Sequence, residues 1–232
     1  MDVNILVNGN SVAKYYKDGK TYIEAKDGSE YEIQIKNNHC QRVLAVASVD
    51  GLNVITGEPA SIEDSGYVIN PYDSFRIKGF RYSDEKVGAF KFVSKDKSYA
   101  SEKQVSENCG VIGVKIFNDA TSYTVTGTNI LKYTVEDIPS SPYTQPLVCD
   151  KSYGSNVVMC CNFDMGSGWG SSKESKVTHT NFERGYVTHT FEFYYASRKA
   201  LIDMGVIESS APKISFPKSF PKYATPPKNW MC

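Results

Sequence analysis

Strand-and-turn punctuation constrains this chain more than any other feature. Between residues 3 and 117, short runs of β-branched and aromatic residues recur, each closed by Gly, Asn, Asp or Pro. A spacing of about 8–12 residues is that of a sandwich or barrel. A helical period of 3.6 is missing from this half of the sequence, so its apolar residues must be buried by sheets.

The individual runs read as follows. Residues 3–7 form a strand ended by the turn Asn8-Gly9-Asn10. Residues 11–16 and 20–25 flank Lys17-Asp18-Gly19, a hairpin signal because Gly tolerates positive φ. Residues 31–35 alternate apolar with polar, which suits a strand with one wet face. Residues 42–49 are almost continuously apolar and predict a central strand buried on both faces. Residues 66–69, 75–80, 89–93 and 110–117 are further strands, and 94–108 reads as a polar loop.

The pattern then changes. Residues 119–173 hold three prolines, three of the six cysteines and a Gly/Ser cluster, and predict an insertion or arm. Strand character resumes at 177–180 and 187–195. Residues 197–204 predict the single helix, with Ser197 as its cap and Gly205 at the position after its end. Residues 206–232 contain five prolines and cannot form a regular helix or a central strand. The expected organisation is a sandwich core over 1–118, an insertion over 119–173, returning strands and helix over 174–205, and an extended tail over 206–232. The fold class is all-β: an antiparallel, jelly-roll-like sandwich.

Charge and cysteine usage narrow the function. Lys plus Arg and Asp plus Glu are equal at 26 each, which argues against a nucleic-acid binder. The longest apolar run falls short of the roughly 20 residues of a membrane helix, and the first residues do not read as a signal peptide. Asn-x-Ser/Thr does not occur. Cysteines 40, 109, 149, 160, 161 and 232 include no C-x-x-C pair, so no zinc ribbon is expected and no metal or cofactor is assigned. Cys232 is expected to be exposed and able to cross-link subunits.

Each candidate for chemistry has a plainer reading. His39-Cys40 reads as a loop. Cys160-Cys161 reads as one buried and one exposed thiol. Gly166-Ser167-Gly168-Trp169-Gly170 lacks the Gly-Lys-Ser/Thr of a phosphate loop and reads as a flexible turn around an anchoring Trp. Glu183-Arg184 reads as an exposed ion pair, although His179 and Glu183 would share a face on a strand. Asp50, at the end of the apolar run, reads as a cap of its own turn. No catalytic residue is assigned.

Several segments together carry a resemblance. They are the stretch Val46-Ala47-Ser48-Val49-Asp50-Gly51-Leu52-Asn53-Val54, then Gly66-Tyr67-Val68-Ile69-Asn70-Pro71-Tyr72, Ile77-Lys78-Gly79-Phe80-Arg81 and Gly110-Val111-Ile112-Gly113-Val114. Later come Gly166-Ser167-Gly168-Trp169-Gly170, Phe182-Glu183-Arg184, Tyr194-Tyr195, Met204-Gly205-Val206 and Pro226-Pro227-Lys228-Asn229-Trp230. In these the chain resembles a largely uncharacterised β-rich family of bacterial, phage and large DNA virus genomes. The match is weakest over 119–165. The resemblance implies a shared β architecture and no established activity.

The function expected is that of a non-enzymatic structural protein of a virus or phage particle: a minor capsid, decoration or tail-associated component whose partners are other protein subunits. Phe216, Phe220, Tyr223 and Trp230 are the expected anchors, because aromatics dominate binding hot spots. A carbohydrate-binding sandwich with Trp169 and neighbouring tyrosines as its platform is the alternative. An unrecognised hydrolase is the second alternative and requires Asp50, His179, His189 or Glu183 to converge.

Overall fold

The computed structural model describes residues 1–121 and 163–208. The fold over these residues is an all-β sandwich of two sheets with two short helices. The expected anchors Phe216, Phe220, Tyr223 and Trp230, and Cys149, Cys160, Cys161 and Cys232, lie outside the described residues.

The first sheet contains β1 (Asp2–Val7), β2 (Asn10–Ser11), β5 (Glu30–Lys36), β9 (Ser74–Ile77), β10 (Gly79–Arg81), β11 (Lys86–Ser94) and β13 (Met165–Glu174). The second contains β3 (Lys14–Lys17), β4 (Lys20–Glu24), β6 (Val43–Val49), β7 (Leu52–Asn53), β8 (Tyr67–Ile69), β12 (Val111–Asp119) and β14 (Arg184–Ala196). All strand pairs are antiparallel except β14 with β4, which run parallel from Phe193↔Thr21 to Ala196↔Glu24.

Local sequence explains the elements. In β5, Tyr31, Ile33 and Ile35 point into the core while the intervening residues are half-exposed, as their alternation demands. β6 is buried almost throughout because Val43, Ala45, Ala47 and Val49 face the core between the sheets while Leu44 and Val46 on the outer face are covered by Phe117, Val68 and Phe182. The β3–β4 turn places Asp18 and Gly19 at φ 49° and 72°, the two positive values that a tight hairpin requires. The Ser197 hydroxyl accepts the Ala200 N–H at the start of α2 (Arg198–Asp203), and Gly205 follows it at φ 66°.

The core fills the space between the sheets. Ile5, Ile33, Ile35, Ile77, Phe80, Phe90 and Phe92 from the first sheet meet Val49, Ile112, Val114, Ile116, Phe193 and Tyr195 from the second. A smaller apolar cluster lies on the outer face of the second sheet. There Tyr22 and Tyr194 pack with Leu201 of α2 and with the half-buried Phe163, Val206 and Ile207.

Three expectations need correction. Residues 166–170 are not a flexible turn; they belong to β13, which pairs with β11 from Met165↔Ser94 to Glu174↔Lys86. Ser and Gly have weak strand propensity, and ladder hydrogen bonds plus burial override it here. Residues 177–180, expected as a strand, form none and lead irregularly into β14. Residues 94–108 are not simply loop: α1 (Tyr99–Glu102) and two 3₁₀ turns fold there, with Ser98 capping α1 and Ala100 buried.

Candidate functional site

The strongest concentration of polar chemistry lies inside the sandwich. Asp50 occupies the turn between β6 and β7 at φ 54°, a left-handed conformation that Asp tolerates better than most residues. Its N–H donates to the Val111 carbonyl at 2.8 Å. Its carboxylate does not cap its own turn, contrary to the sequence reading. Instead Oδ1 accepts the Gly110 N–H at 2.9 Å and the Tyr195 hydroxyl at 2.5 Å, and Oδ2 accepts the Ser167 N–H at 2.7 Å. These donors are 60 to 145 residues away in sequence.

The network continues into the other sheet. Ser167 Oγ lies 2.8 Å from Tyr195 Oη and 2.6 Å from Tyr31 Oη. Each hydroxyl has one proton, and the carboxylate only accepts. The directions follow: Tyr31 donates to Ser167, Ser167 to Tyr195, and Tyr195 to Asp50. Tyr31 and Ser167 belong to the first sheet, and Tyr195 and Asp50 to the second. The chain of hydrogen bonds therefore ties the two layers together through the core.

Burial dominates the electrostatics. It pushes the Asp50 carboxyl up to about 6 despite the hydrogen bonds from Tyr195, Ser167 and Gly110 that favour its charged form. Burial, and then the Asp50 charge, raise both tyrosines well above their ordinary range, so they stay protonated donors. Nearby, Ser98 Oγ lies 3.4 Å from Cys109 Sγ, and burial raises that thiol, which keeps it in its unreactive form.

A carboxylate, two tyrosines and a serine resemble a catalytic set, but access decides against one. Ser167 and Asp50 are each 1% exposed. Neither the groove beside Lys14 nor the one beside Phe182 is lined by any of the four. A general base must reach substrate. The arrangement is instead a satisfied polar staple.

The raised carboxyl has a measurable consequence. An unfolded Asp titrates near 3.8, and the folded group near 6. Between these values the folded state binds more protons, so this group's contribution to stability is complete below the lower value and is lost as pH rises through the upper one. Relative to Asp50→Asn, which does not titrate, the native chain should lose about 2 kcal/mol of its urea-unfolding free energy between pH 4.5 and pH 7. A pH-independent difference between the two proteins would show that Asp50 has an ordinary acidity.

The other sequence candidates do not converge. His179 pairs loosely with Asp84 at 3.5 Å, and both are largely exposed. His189 sits near His39 at 5.9 Å between ring centroids, and His39 approaches the Met1 amine at 3.4 Å. Cys40 is exposed beside it. Arg184 does not pair with Glu183; its guanidinium reaches the carbonyls of Ile62 and Asp64 and the Glu63 carboxylate, because the preceding chain carries it over that loop. No group of three His, Cys, Asp or Glu able to hold a metal occurs among the described residues. Among these residues no helix is long and apolar enough to cross a membrane.

Two surface features stand out. The first is aromatic. Trp169 on β13 is 42% exposed and Tyr82 50%, with ring centroids 5.9 Å apart. Phe80 stacks against the indole and Tyr99 meets it edge-on. The Tyr82 hydroxyl is tethered to Ser172 Oγ at 2.6 Å. On the other face of this sheet Lys173 pairs with Glu30 at 2.9 Å, and the Ser171 N–H donates to the same carboxylate. Together these hold the Glu30 carboxyl down at about 2.

The second feature is an open strand edge. β12 pairs along most of β14, but β4 pairs only from Phe193 onward, so no described strand pairs with the other side of residues 184–192. The Tyr195 N–H donates toward β12, to Gly110, while the Ala196 carbonyl accepts on the β4 side, from Ala25. Backbone direction alternates along a strand, so Thr190 and Glu192 face the open side. Along it runs a groove of about 590 Å³ between Asp2–Asn4 of β1, Lys14 and Tyr16 of β3, and Thr190–Glu192. Lys14 spans its floor, donating to the Val3 carbonyl and Asn4 Oδ1, each at 2.9 Å, over the Phe193 ring. Tyr186 and Val187, further along the edge, are exposed.

Comparison with family models, curated proteins and solved structures finds no match for this chain.

Sequence reasoning missed Tyr31, Ser167 and Tyr195 as partners of Asp50. Nothing in their local spacing announces a contact between sheets. The one local signal was an acidic residue ending an otherwise apolar strand.

Proposed function

We propose that this chain is a non-enzymatic structural protein that works by association with other protein subunits, as a component of a virus or phage particle. The open edge of β14 is the observation that carries the association reading. A row of backbone donors and acceptors that no described strand pairs, flanked by exposed Tyr186 and Val187, is a template for a strand from another chain. The inaccessible polar staple supports a rigid body in place of a catalytic one. The particle assignment adds the resemblance to a largely uncharacterised family of bacterial, phage and large DNA virus genomes and the aromatic residues Phe216, Phe220, Tyr223 and Trp230, suited to anchoring on a neighbour.

The test is Thr190→Pro. Its N–H faces the open side, so proline removes a donor for a partner without removing one from the β12 ladder. The variant is expected to keep its unfolding midpoint within a few degrees, on the order of 1 kcal/mol, while its light-scattering mass falls to that of one chain. A wild-type protein that is already a single chain at high concentration would count against association.

A second reading has its own observation. The half-exposed Trp169–Tyr82 pair, with the Ser172 hydroxyl bonded to Tyr82, has the make-up of a sugar-binding platform: apolar ring faces beside polar groups. Titrating the full chain with a panel of neutral and acidic oligosaccharides should change the fluorescence of Trp169, and Trp169→Ala should remove the change. No response to any of them would end this reading.

A further inference from the structure

We propose that the open edge of β14 receives residues 213–221 of a neighbouring copy of this chain as an added antiparallel strand. The choice of a neighbouring copy rests on the association reading above.

The receiving side is a built slot. Among the described residues the backbone of Thr190 and Glu192 has no strand partner on this side, and β1 presents Asp2–Asn4 across the groove. The floor is already satisfied, since Lys14 bonds to Val3 and Asn4. What the slot lacks is a main-chain partner for β14. The slot is lined by the Asp2 and Glu192 carboxylates and equally by Lys14 and Lys20, so charge does not select the occupant, and the fit rests on backbone pairing and side-chain faces.

The sequence of 213–221, Lys-Ile-Ser-Phe-Pro-Lys-Ser-Phe-Pro, has the pattern of an edge strand. Pro217 and Pro221 are four residues apart, so in an extended chain both nitrogens face the same side. An edge strand tolerates proline only where that side is turned to solvent. The even-numbered residues then turn their backbone toward β14, with Ile214 opposite Glu192 and Phe216 opposite Thr190.

The side-chain faces agree with this register. Opposite residues of an antiparallel pair share a face. Glu192 lies on the same face of β14 as Tyr194, two residues on, and that face carries the outer apolar cluster of Tyr22, Tyr194, Val206 and Ile207. Ile214 and Phe216 extend that cluster, while Lys213, Ser215 and Ser219 fall on the other face. In this register residues 214–221 run opposite Glu192 to Gly185, within the run that no described strand pairs, and Lys213 lies at its end, where β4 takes over at Phe193.

The experiment is amide hydrogen exchange on the full chain, with native mass measured on the same samples. Two variants separate the register: Phe216→Pro removes a donor aimed at β14, and Ser215→Pro removes one aimed at solvent. Expected are protected Thr190 and Glu192 amides in the wild type and in Ser215→Pro, a loss of at least about tenfold in protection in Phe216→Pro, and a fall in mass in that variant alone. Unprotected wild-type amides, or protection that Phe216→Pro leaves intact, overturn this occupant, and a multi-chain mass in that case leaves the association reading standing. Equal sensitivity to both prolines overturns the register. Phe216-dependent protection in a protein of single-chain mass means that the strand comes from the same molecule; it overturns the neighbouring copy and the association reading together.

Discussion

Replacing Asp50 with alanine is expected to cost about 4 kcal/mol of unfolding free energy, enough to leave much of the chain unfolded at moderate temperature. The reasoning starts from what the carboxylate holds. Two buried backbone N–H groups, of Gly110 and Ser167, and the Tyr195 hydroxyl lose their acceptor together. Each stranded donor costs about 1–3 kcal/mol, and at 1% exposure water cannot replace the carboxylate without opening the sandwich. Alanine also tolerates the left-handed backbone at φ 54° less well, adding about 1 kcal/mol. Removing a carboxyl held up at about 6 offsets part of the loss. Asp50→Asn keeps one carbonyl oxygen and the turn conformation but aims an amide N–H₂ at a backbone N–H. It should fall between the native chain and alanine, at about 2–3 kcal/mol. Urea unfolding monitored by circular dichroism at pH 7 measures all three. A loss under about 1 kcal/mol for Asp50→Ala would mean that the staple does not hold the layers together.

Gly79→Ala is expected to destabilise by about 3 kcal/mol or more, for a reason unconnected with hydrogen bonding. Gly79 stands opposite Ala89 where β10 meets β11. A Cβ there would fall 1.9 Å from the Gly88 carbonyl oxygen and 2.8 Å from the Ala89 Cα. Both are backbone atoms of a strand that is paired on both sides, so neither can withdraw without breaking the ladder with β13 or β10. Gly88→Ala is the informative contrast. Its Cβ would meet Trp169 Cε3 at 2.1 Å, an equally severe clash on paper. The indole is a half-exposed side chain and can swing outward, so the cost should be nearer 1 kcal/mol, with a shift in Trp169 emission. Thermal unfolding of the two variants side by side tests whether backbone or side chain seats this corner of the sheet. Equal midpoints would refute the distinction.

These two positions differ in how visible they are in the sequence. Gly79 sits in the run 75–80, which the sequence reads as one strand, whereas β9 and β10 part at Lys78 and a glycine within a strand pattern accompanies that bend and the close backbone approach. Asp50 was visible as an acidic residue ending an apolar run, but the identity of its partners was not. Ser167 was harder still. It lies in a Gly/Ser stretch whose propensity reads as turn, and only its ladder with β11 makes it a strand. The expected strand at 177–180 failed for the converse reason: local propensity was present, and no neighbouring strand was in place to pair with it.

Sequence alone determined the class of the fold, most strand positions, the hairpin at Asp18-Gly19 and both ends of α2. Each is set by forces acting over a few residues: side-chain alternation, positive φ at turns, and capping. Tertiary structure decided which strands became neighbours, that β13 would pair with β11, and that Asp50, Ser167, Tyr31 and Tyr195 would meet between the sheets. It also decided that β4 would pair with β14 only from Phe193 onward, so that no described strand covers the rest of that edge. Those outcomes depend on pairings across tens of residues, whose register is chosen by the whole buried surface and not by any local run of the chain.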